Sequence, residues 1–318
     1  MINLNKLTQA LTDAGLVIKS LEGGRLVKCQ TIEDKKGQQS GWYRLFENAT
    51  KVVCVYGDWR LLGGRGVWVS GADSYQTPSQ RADVQRLIKQ AQIERKHAQA
   101  KQWAVNLTKL MKLWNETAPI SEHDAVAQYL DNRGLMVPNT TAIRAHAGLD
   151  YWYEGQCLGT FPAMIGAITS PSGALVSIHR TYLSADGHKA PVPTVKKLCA
   201  SAGPLMGASI KISTHVSRAN EHLSIGISEG IETALAATML FGIPTWAGVS
   251  AHGLANFEPP PNVKNIYIFG DNDASHVGQD AAAKLAQRLT HQGHIVRVHT
   301  PAIICDWCDE LAAMGATV

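Results

Sequence analysis

Asp271 and Asp273 stand two apart in IYIFGDNDAS, residues 266–275, where an apolar run that reads as a buried strand stops abruptly. Two carboxylates held a few ångströms apart repel by roughly 4 kcal/mol at an effective dielectric near 20. A hard divalent cation between them, Mg²⁺ or Mn²⁺, relieves that repulsion. An Asx-type turn capping the next helix accounts for the same spacing, and the pair alone does not choose. A third acid, Glu229 in ISEGIETALA, follows another strand-like run by one residue. Alone it reads as an acid answering a helix macrodipole. Three acids at strand ends, flanked by Gly230 and Gly270, favour a shared site.

The elements that must position these acids are legible in the hydrophobic period. From His222 onward, strands LSIGIS, IPTWAGV, NIYIFGD and HIVRVHT alternate with helices GIETALAATMLFG and 276–291. Such alternation predicts a parallel sheet with right-handed crossovers. Sites in open sheets of this kind lie beyond the carboxyl ends of the strands. If the first and third strands are neighbours, Glu229 and the Asp271–Asp273 pair share one rim.

Upstream, the pattern is different. Residues 1 to about 20 are expected to form an amphipathic helix on Leu4, Leu7, Leu11 and Leu16. Residues 26–70 hold strand-like, aromatic runs separated by Gly and Asn turns, which predict a small antiparallel sheet. Its aromatics Trp42, Tyr43, Trp59 and Trp68 read mostly as core, with base stacking as the alternative. A polar stretch, SGADSYQTPSQ, follows as a linker, and residues 80–115 read as one long helix. That helix carries Arg81, Arg86, Lys89, Arg95, Lys96, Lys101, Lys109 and Lys112 against Asp83 and Glu94. A solvated face and a phosphate-contacting face both fit such a run. A short helix at 123–133 ends at Gly134, and FPAMIGAIT and LVSIHRTYL read as strands joined by SPSG. The boundaries expected are a small N-terminal α+β region at 1–78, a basic helical linker at 79–115, an α+β subdomain at 116–212 and an α/β domain at 213–318.

Composition sets outer limits. The net charge of +4 permits nucleic-acid binding without demanding it. The sequence shows no membrane-length apolar run and no signal-peptide pattern, so a cytoplasmic location and no membrane partner are expected. Of six cysteines only Cys305 and Cys308 have CxxC spacing, and no second close pair completes a zinc site. No zinc is expected.

The glutamate in ISEGIETALA and the DxD in FGDND together resemble the Toprim domain of primases and topoisomerases, over about residues 213–318. The likeness is strongest to primases of plasmids and phages, in which EGIETALA and a KDWND-like final segment recur. Here that segment is CDWCDEL, with Cys305 and Cys308 in place of the usual lysine and asparagine. HDAVAQYLDNRGL, TTAIRAHAGLDYW and LVSIHRTYLSADGHKAPVPTVKKL resemble the core of bacterial replicative primases, extending the likeness to residues 116–318. WYRLFENATKVVCVYGDWR is similar to a region such mobile-element proteins carry near the N-terminus. Neither the zinc ribbon of many full-length primases nor a helicase P-loop is visible.

The resemblance implies an α/β Toprim domain, Rossmann-like with a mostly parallel four-stranded sheet, behind a primase-core subdomain and a β-rich N-terminal region. It implies a DNA primase making short RNA primers on single-stranded DNA from NTPs with Mg²⁺ or Mn²⁺, with a replicative helicase as a further partner. Asp271 and Asp273 are then metal ligands, and Glu229 positions metal or acts as general acid/base. Asp309, and behind it Asp306, shapes the metal site. Arg133, Arg180, Lys189 and Lys197 would form a basic ridge for template and phosphates, with His179 beside Arg180. A Toprim nuclease and a non-catalytic DNA-binding or helicase-partner module are the rival readings.

Overall fold

The computed structural model describes residues 4–47, 51–60, 65–70, 77–213, 217–219 and 222–315. It divides into two compact units, Met1–Gln102 and Trp103–Val318. Among the described residues, no helix is long and apolar enough to cross a membrane.

The first unit opens with α1, Leu4–Asp13, shorter than its leucine spacing predicts. Gly15, at φ +79°, reverses the chain, so Leu16 enters strand β1 (Leu16–Val17) and not the helix. Strands β2 (Leu26–Thr31), β3 (Gly41–Glu47), β4 (Val52–Asp58) and β5 (Arg65–Val69) continue an antiparallel meander in the order β1-β2-β3-β4-β5. One face packs Tyr43, Leu45 and Cys54 against Leu7 and Leu11 of α1. The other packs Trp42, Val53 and Val55 against Val84, Ile88 and Ala91 of α2, Pro78–Asn115. Trp42 and Tyr43 are core residues, whereas Trp59 and Trp68 are half-buried. The polar stretch expected as a linker lies, at 71–76, outside the described residues.

The second unit takes the end of α2, then α3 (Ala125–Asp131), capped by the Asp124 carboxylate on the backbone N–H groups of Val126 and Ala127. Gly134, at φ +66°, turns the chain away from that helix. A long hairpin of β6 (Ile143–Tyr153) and β7 (Gln156–Thr169) follows, then β8 (Leu175–Tyr182), β9 (Lys196–Leu198) and β10 (Ser209–Ile210). Strand β11 (Ser217–Ala219) pairs antiparallel with the start of β12 (His222–Ser228). After it come α4 (Ile231–Phe241), β13 (Thr245–Ala247), α5 (Ala251–Ala255), β14 (Val263–Phe269), α6 (Val277–His291), β15 (Ile295–His299) and α7 (Trp307–Gly315).

The four parallel strands run in the order β15-β14-β12-β13. They do not close a sheet of their own. Ile210 of β10 pairs antiparallel with Ala247 of β13 and the same strand pairs with β7, so one ten-stranded mixed sheet runs through both halves of the unit. Helix α4 is apolar almost all round because it lies between that sheet and α7, where Phe241 meets Trp307 edge-on.

Close packing in this sheet leaves Gly226 no room for a side chain. A Cβ there would lie 2.2 Å from Thr245 Oγ1 and 2.8 Å from the Phe269 ring. Gly226→Ala is expected to cost about 1–3 kcal/mol by overpacking, read as a lower urea midpoint at unchanged slope.

Candidate active site

Strands β12 and β14 are adjacent and parallel, with Ser228 paired to Phe269. Glu229 and Asp271 therefore leave the sheet at the same carboxyl-end rim. They line a cavity of about 170 Å³, with Glu232 and Asp306 as further acids and Arg133, Lys189 and Lys196 as cations. His179 and Thr233 complete its polar wall.

The acids differ in electrostatic state. Burial pushes Asp271 up to about 6, and the negative potential of Asp306 and Glu229 adds to it. The Thr233 hydroxyl, donating at 3.1 Å to Asp271 Oδ1, opposes the rise. Burial also raises Glu229, with Asp273 contributing and the backbone N–H of Ala251 pulling the other way. Asp273 is held below the usual range by hydrogen bonds from Ser275. Its carboxylate accepts from the backbone N–H of Ser275 at 2.8 Å and of Gly278 at 3.4 Å, as well as from the Ser275 hydroxyl. In this geometry Asp273 caps the start of α6, and it does not line the cavity.

The final segment gathers on Arg133. Its Nη2 lies 3.5 Å from Asp306 and 3.6 Å from Asp309, and its Nε donates to Cys308 Sγ at 3.1 Å. Asp306 also accepts from the Asp309 backbone N–H at 2.9 Å. Asp309 thus reaches the cavity only through Arg133. Cys305 and Cys308 are both free thiols.

The expected basic ridge is split by the pleat. Alternate residues of a strand face opposite sides of the sheet, and His179 pairs with Leu198, Arg180 with Lys197 and Thr181 with Lys196. His179 and Lys196 therefore face the cavity, together with Lys189 from the following turn. Arg180 and Lys197 face away. Arg180 donates to Tyr182 Oη at 3.2 Å and to the Leu198 carbonyl at 3.3 Å. Lys197 Nζ lies 3.8 Å from the centre of the Tyr151 ring and donates to the Trp152 carbonyl at 2.6 Å. Burial lowers His179 to about 4, so it is a neutral imidazole near pH 7 and not a cationic phosphate clamp. Its Nδ1 is buried without a hydrogen-bond partner.

Sequence reasoning missed Glu232, Lys196, Thr233 and Tyr129. Glu232 is 4% exposed and accepts from Lys196 Nζ at 2.9 Å and Tyr129 Oη at 2.8 Å. Burial works against its charge, but Lys196, together with a backbone N–H and Tyr129, holds it at about 2. One signal was available: a glutamate inside the otherwise apolar IETALAAT must either be buried with a partner or break the helix's apolar face.

The donor chemistry fits a hard divalent cation. Glu229, Asp271 and Asp306 are oxygen donors; burial and neighbouring acids disfavour the charged forms of Glu229 and Asp271, and a cation would reverse that. Among the described residues, no group of three or more His, Cys, Asp or Glu side chains is close enough to form a ready-made ligand set.

Residues 224–317 match the model of the Toprim domain. Residues 105–210 match that of a domain of unknown function, DUF7146. None of the curated proteins matches the sequence. Among solved structures, the primase fragment of the bacteriophage T7 primase-helicase protein aligns at 15% identity and TM-score 0.38, over 59% of this chain and 66% of that one. A DNA primase domain from Pseudomonas aeruginosa aligns at 13% identity and TM-score 0.35, over 52% of each chain. The DnaG primase catalytic domain bound to ssDNA aligns at 12% identity and TM-score 0.44, over 69% of this chain and 81% of that one. The chain thus spans about two-thirds of the first of these and about half of the second.

Proposed function

We propose that this Toprim-domain chain is a DNA primase of the plasmid or phage type, a nucleotidyltransferase that joins NTPs into short RNA primers on single-stranded DNA. The observation that carries the reading is the meeting of Glu229, Asp271 and Asp306 with Lys189, Lys196 and Arg133 around one cavity. A polyanionic substrate needs both signs of charge there: cations for phosphates, and acids for the metal that neutralises them.

Glu229, Asp271 and Asp306 would hold Mg²⁺ or Mn²⁺, with Asp273 joining only on release from Ser275 and Gly278. Bound there, the ion would supply charge neutralisation at the reacting phosphates. Lys189 and Lys196 would attract the triphosphate, with Lys196 aimed by its bond to Glu232. Arg133 would hold Asp306 in place from the turn after α3. Alternatively Glu229, left unbound to the ion and with its proton affinity raised by burial, would accept a proton from the attacking hydroxyl. Single-stranded template, and a helicase bringing it, would be the partners.

The test is primer synthesis on defined single-stranded templates with NTPs and Mg²⁺ or Mn²⁺. Wild type should make short RNA products, and Glu229→Gln should lose at least about 10²-fold while keeping its circular dichroism and melting curve. Equal synthesis by both would sink the reading. Cleavage of labelled DNA in metal without NTPs would assign the site to a Toprim nuclease instead.

A further inference from the structure

The first unit holds a second cluster of polar groups without partners, outside both matched segments. The apolar stripe of α2 that covers the sheet runs Val84, Ile88, Ala91, at helical spacing, and the next position on that stripe is Arg95. Its guanidinium lies 5.6 Å from the centre of the Trp42 ring and 5.4 Å from that of Trp59, and the two rings lie 6.0 Å apart. Arg95 Nε, Trp42 Nε1 and Trp59 Nε1 are all buried without a hydrogen-bond partner. Three neighbouring donors and no acceptor is an unusual arrangement, since each unmet buried donor costs folding free energy.

The same interface contains its own control. Arg44 also lies between sheet and helix, and it is fully provided for: Nε donates to Glu94 at 2.6 Å and Nη1 to the Leu45 carbonyl at 2.9 Å. Glu94 immediately precedes Arg95 on α2, yet it serves Arg44. Among the described residues, no carboxylate pairs with Arg95. Trp42 is fully buried, whereas Trp59 and Arg95 are half-buried and reach the surface. Pairing in register with Trp42 on β2 is the exposed Lys28, which adds positive charge on the same face of the sheet.

We propose that Arg95 and Trp59, backed by the buried Trp42, form a binding site for single-stranded DNA, with the Arg95 guanidinium receiving a phosphate and the half-buried Trp59 ring stacking a base. A planar cation without a carboxylate partner, set beside a half-buried aromatic ring, is the pairing that single-stranded nucleic acid uses, and it shows no base preference. The site gives the first unit a role in gripping template. It rests on the reading that single-stranded DNA is the template.

The test measures anisotropy of a fluorescein-labelled oligo-dT with the full-length chain in EDTA, over a series of salt concentrations. With metal chelated, the assay reads template grip and not synthesis, so a failed binding test leaves the primer-synthesis test of Glu229→Gln standing. Arg95→Gln should weaken binding about 5- to 20-fold and reduce the salt slope by about one ion. Trp59→Leu should weaken it by about 5-fold or more with the slope kept. Arg95→Lys, which preserves charge and needs no repacking of the helix, should keep the slope and lose part of the affinity, so the proposal stays testable if Arg95→Gln is unstable. Arg86→Gln, on the exposed side of α2, is the comparison for general charge. No binding by wild type, unchanged binding by the Arg95 and Trp59 variants, or an equal loss in Arg86→Gln would each overturn the proposal.

Discussion

Asp271→Asn is expected to cut the proposed primer synthesis about 10³-fold or more and, in metal-free solution, to make the protein more stable. Both effects come from one cause. Burial and the neighbouring acids raise the Asp271 carboxyl to about 6 in the folded chain, against 3.8 for the ordinary group. The folded state therefore prefers the neutral acid. Below about pH 3 both states are protonated and the group is indifferent to folding. As pH rises from about 3 through 6, ionisation favours the unfolded chain, and the penalty is complete above that, at about 2–3 kcal/mol. Asparagine keeps the neutral shape and can still accept from Thr233. Melting in EDTA should thus show Asp271→Asn several degrees above wild type at pH 8 and level with it at about pH 3. Mg²⁺ should raise the melting temperature of wild type and leave the variant nearly unmoved. A variant less stable than wild type at pH 8 in EDTA would show that the carboxylates are not in conflict, and the electrostatic case for a cation would fall.

Lys196→Met is the second large effect, and its sign is opposite. Glu232 is 4% exposed and its charge depends on Lys196. Removing one partner of a buried pair costs about 3–5 kcal/mol. Because the Lys196 side chain is itself 43% exposed, solvent screens part of the interaction, and about 2–3 kcal/mol is expected. Glu232 sits at about 2 in the folded protein and 4.5 unfolded, so its contribution is present above about pH 4.5 and is lost as pH falls towards 2. The gap between Lys196→Met and wild type should consequently be widest near neutrality and narrow in acid. Adding Glu232→Gln should recover most of the stability, since the glutamine accepts from Tyr129 without a buried charge. The proposed synthesis should stay low in the double variant, because Lys196 also faces the cavity that holds Glu229 and Asp271. If the double variant is no more stable than the single one, the pair is not what makes Lys196 structurally necessary.

Much of this was legible in the residues. The four strands and two longer helices from His222 to His299 follow from hydrophobic period, the short α5 does not, and neighbouring β12 and β14 bring Glu229 and Asp271 to one rim as that order allows. The meander of the first unit was readable from its turns. Its opening helix was overextended because Leu16 keeps the leucine spacing after Gly15 has ended the helix. The Asp271–Asp273 spacing left two outcomes open, and the structure divides them: Asp271 faces the cavity while Asp273 caps α6.

What the sequence by itself determined was therefore the α/β order, the acids at the strand ends and the presence of a basic pair at Lys196–Lys197. Which lysine of that pair serves the site was decided only in the tertiary structure. A three-residue strand is too short to show an alternation of its own, so its facing is set by the partner strand, through Thr181 opposite Lys196 and Arg180 opposite Lys197. A shift of one residue in that register would exchange the two. The same pleat puts His179 in the cavity and Arg180 behind it, and a buried Glu232, distant in sequence, is what holds Lys196 at the cavity wall.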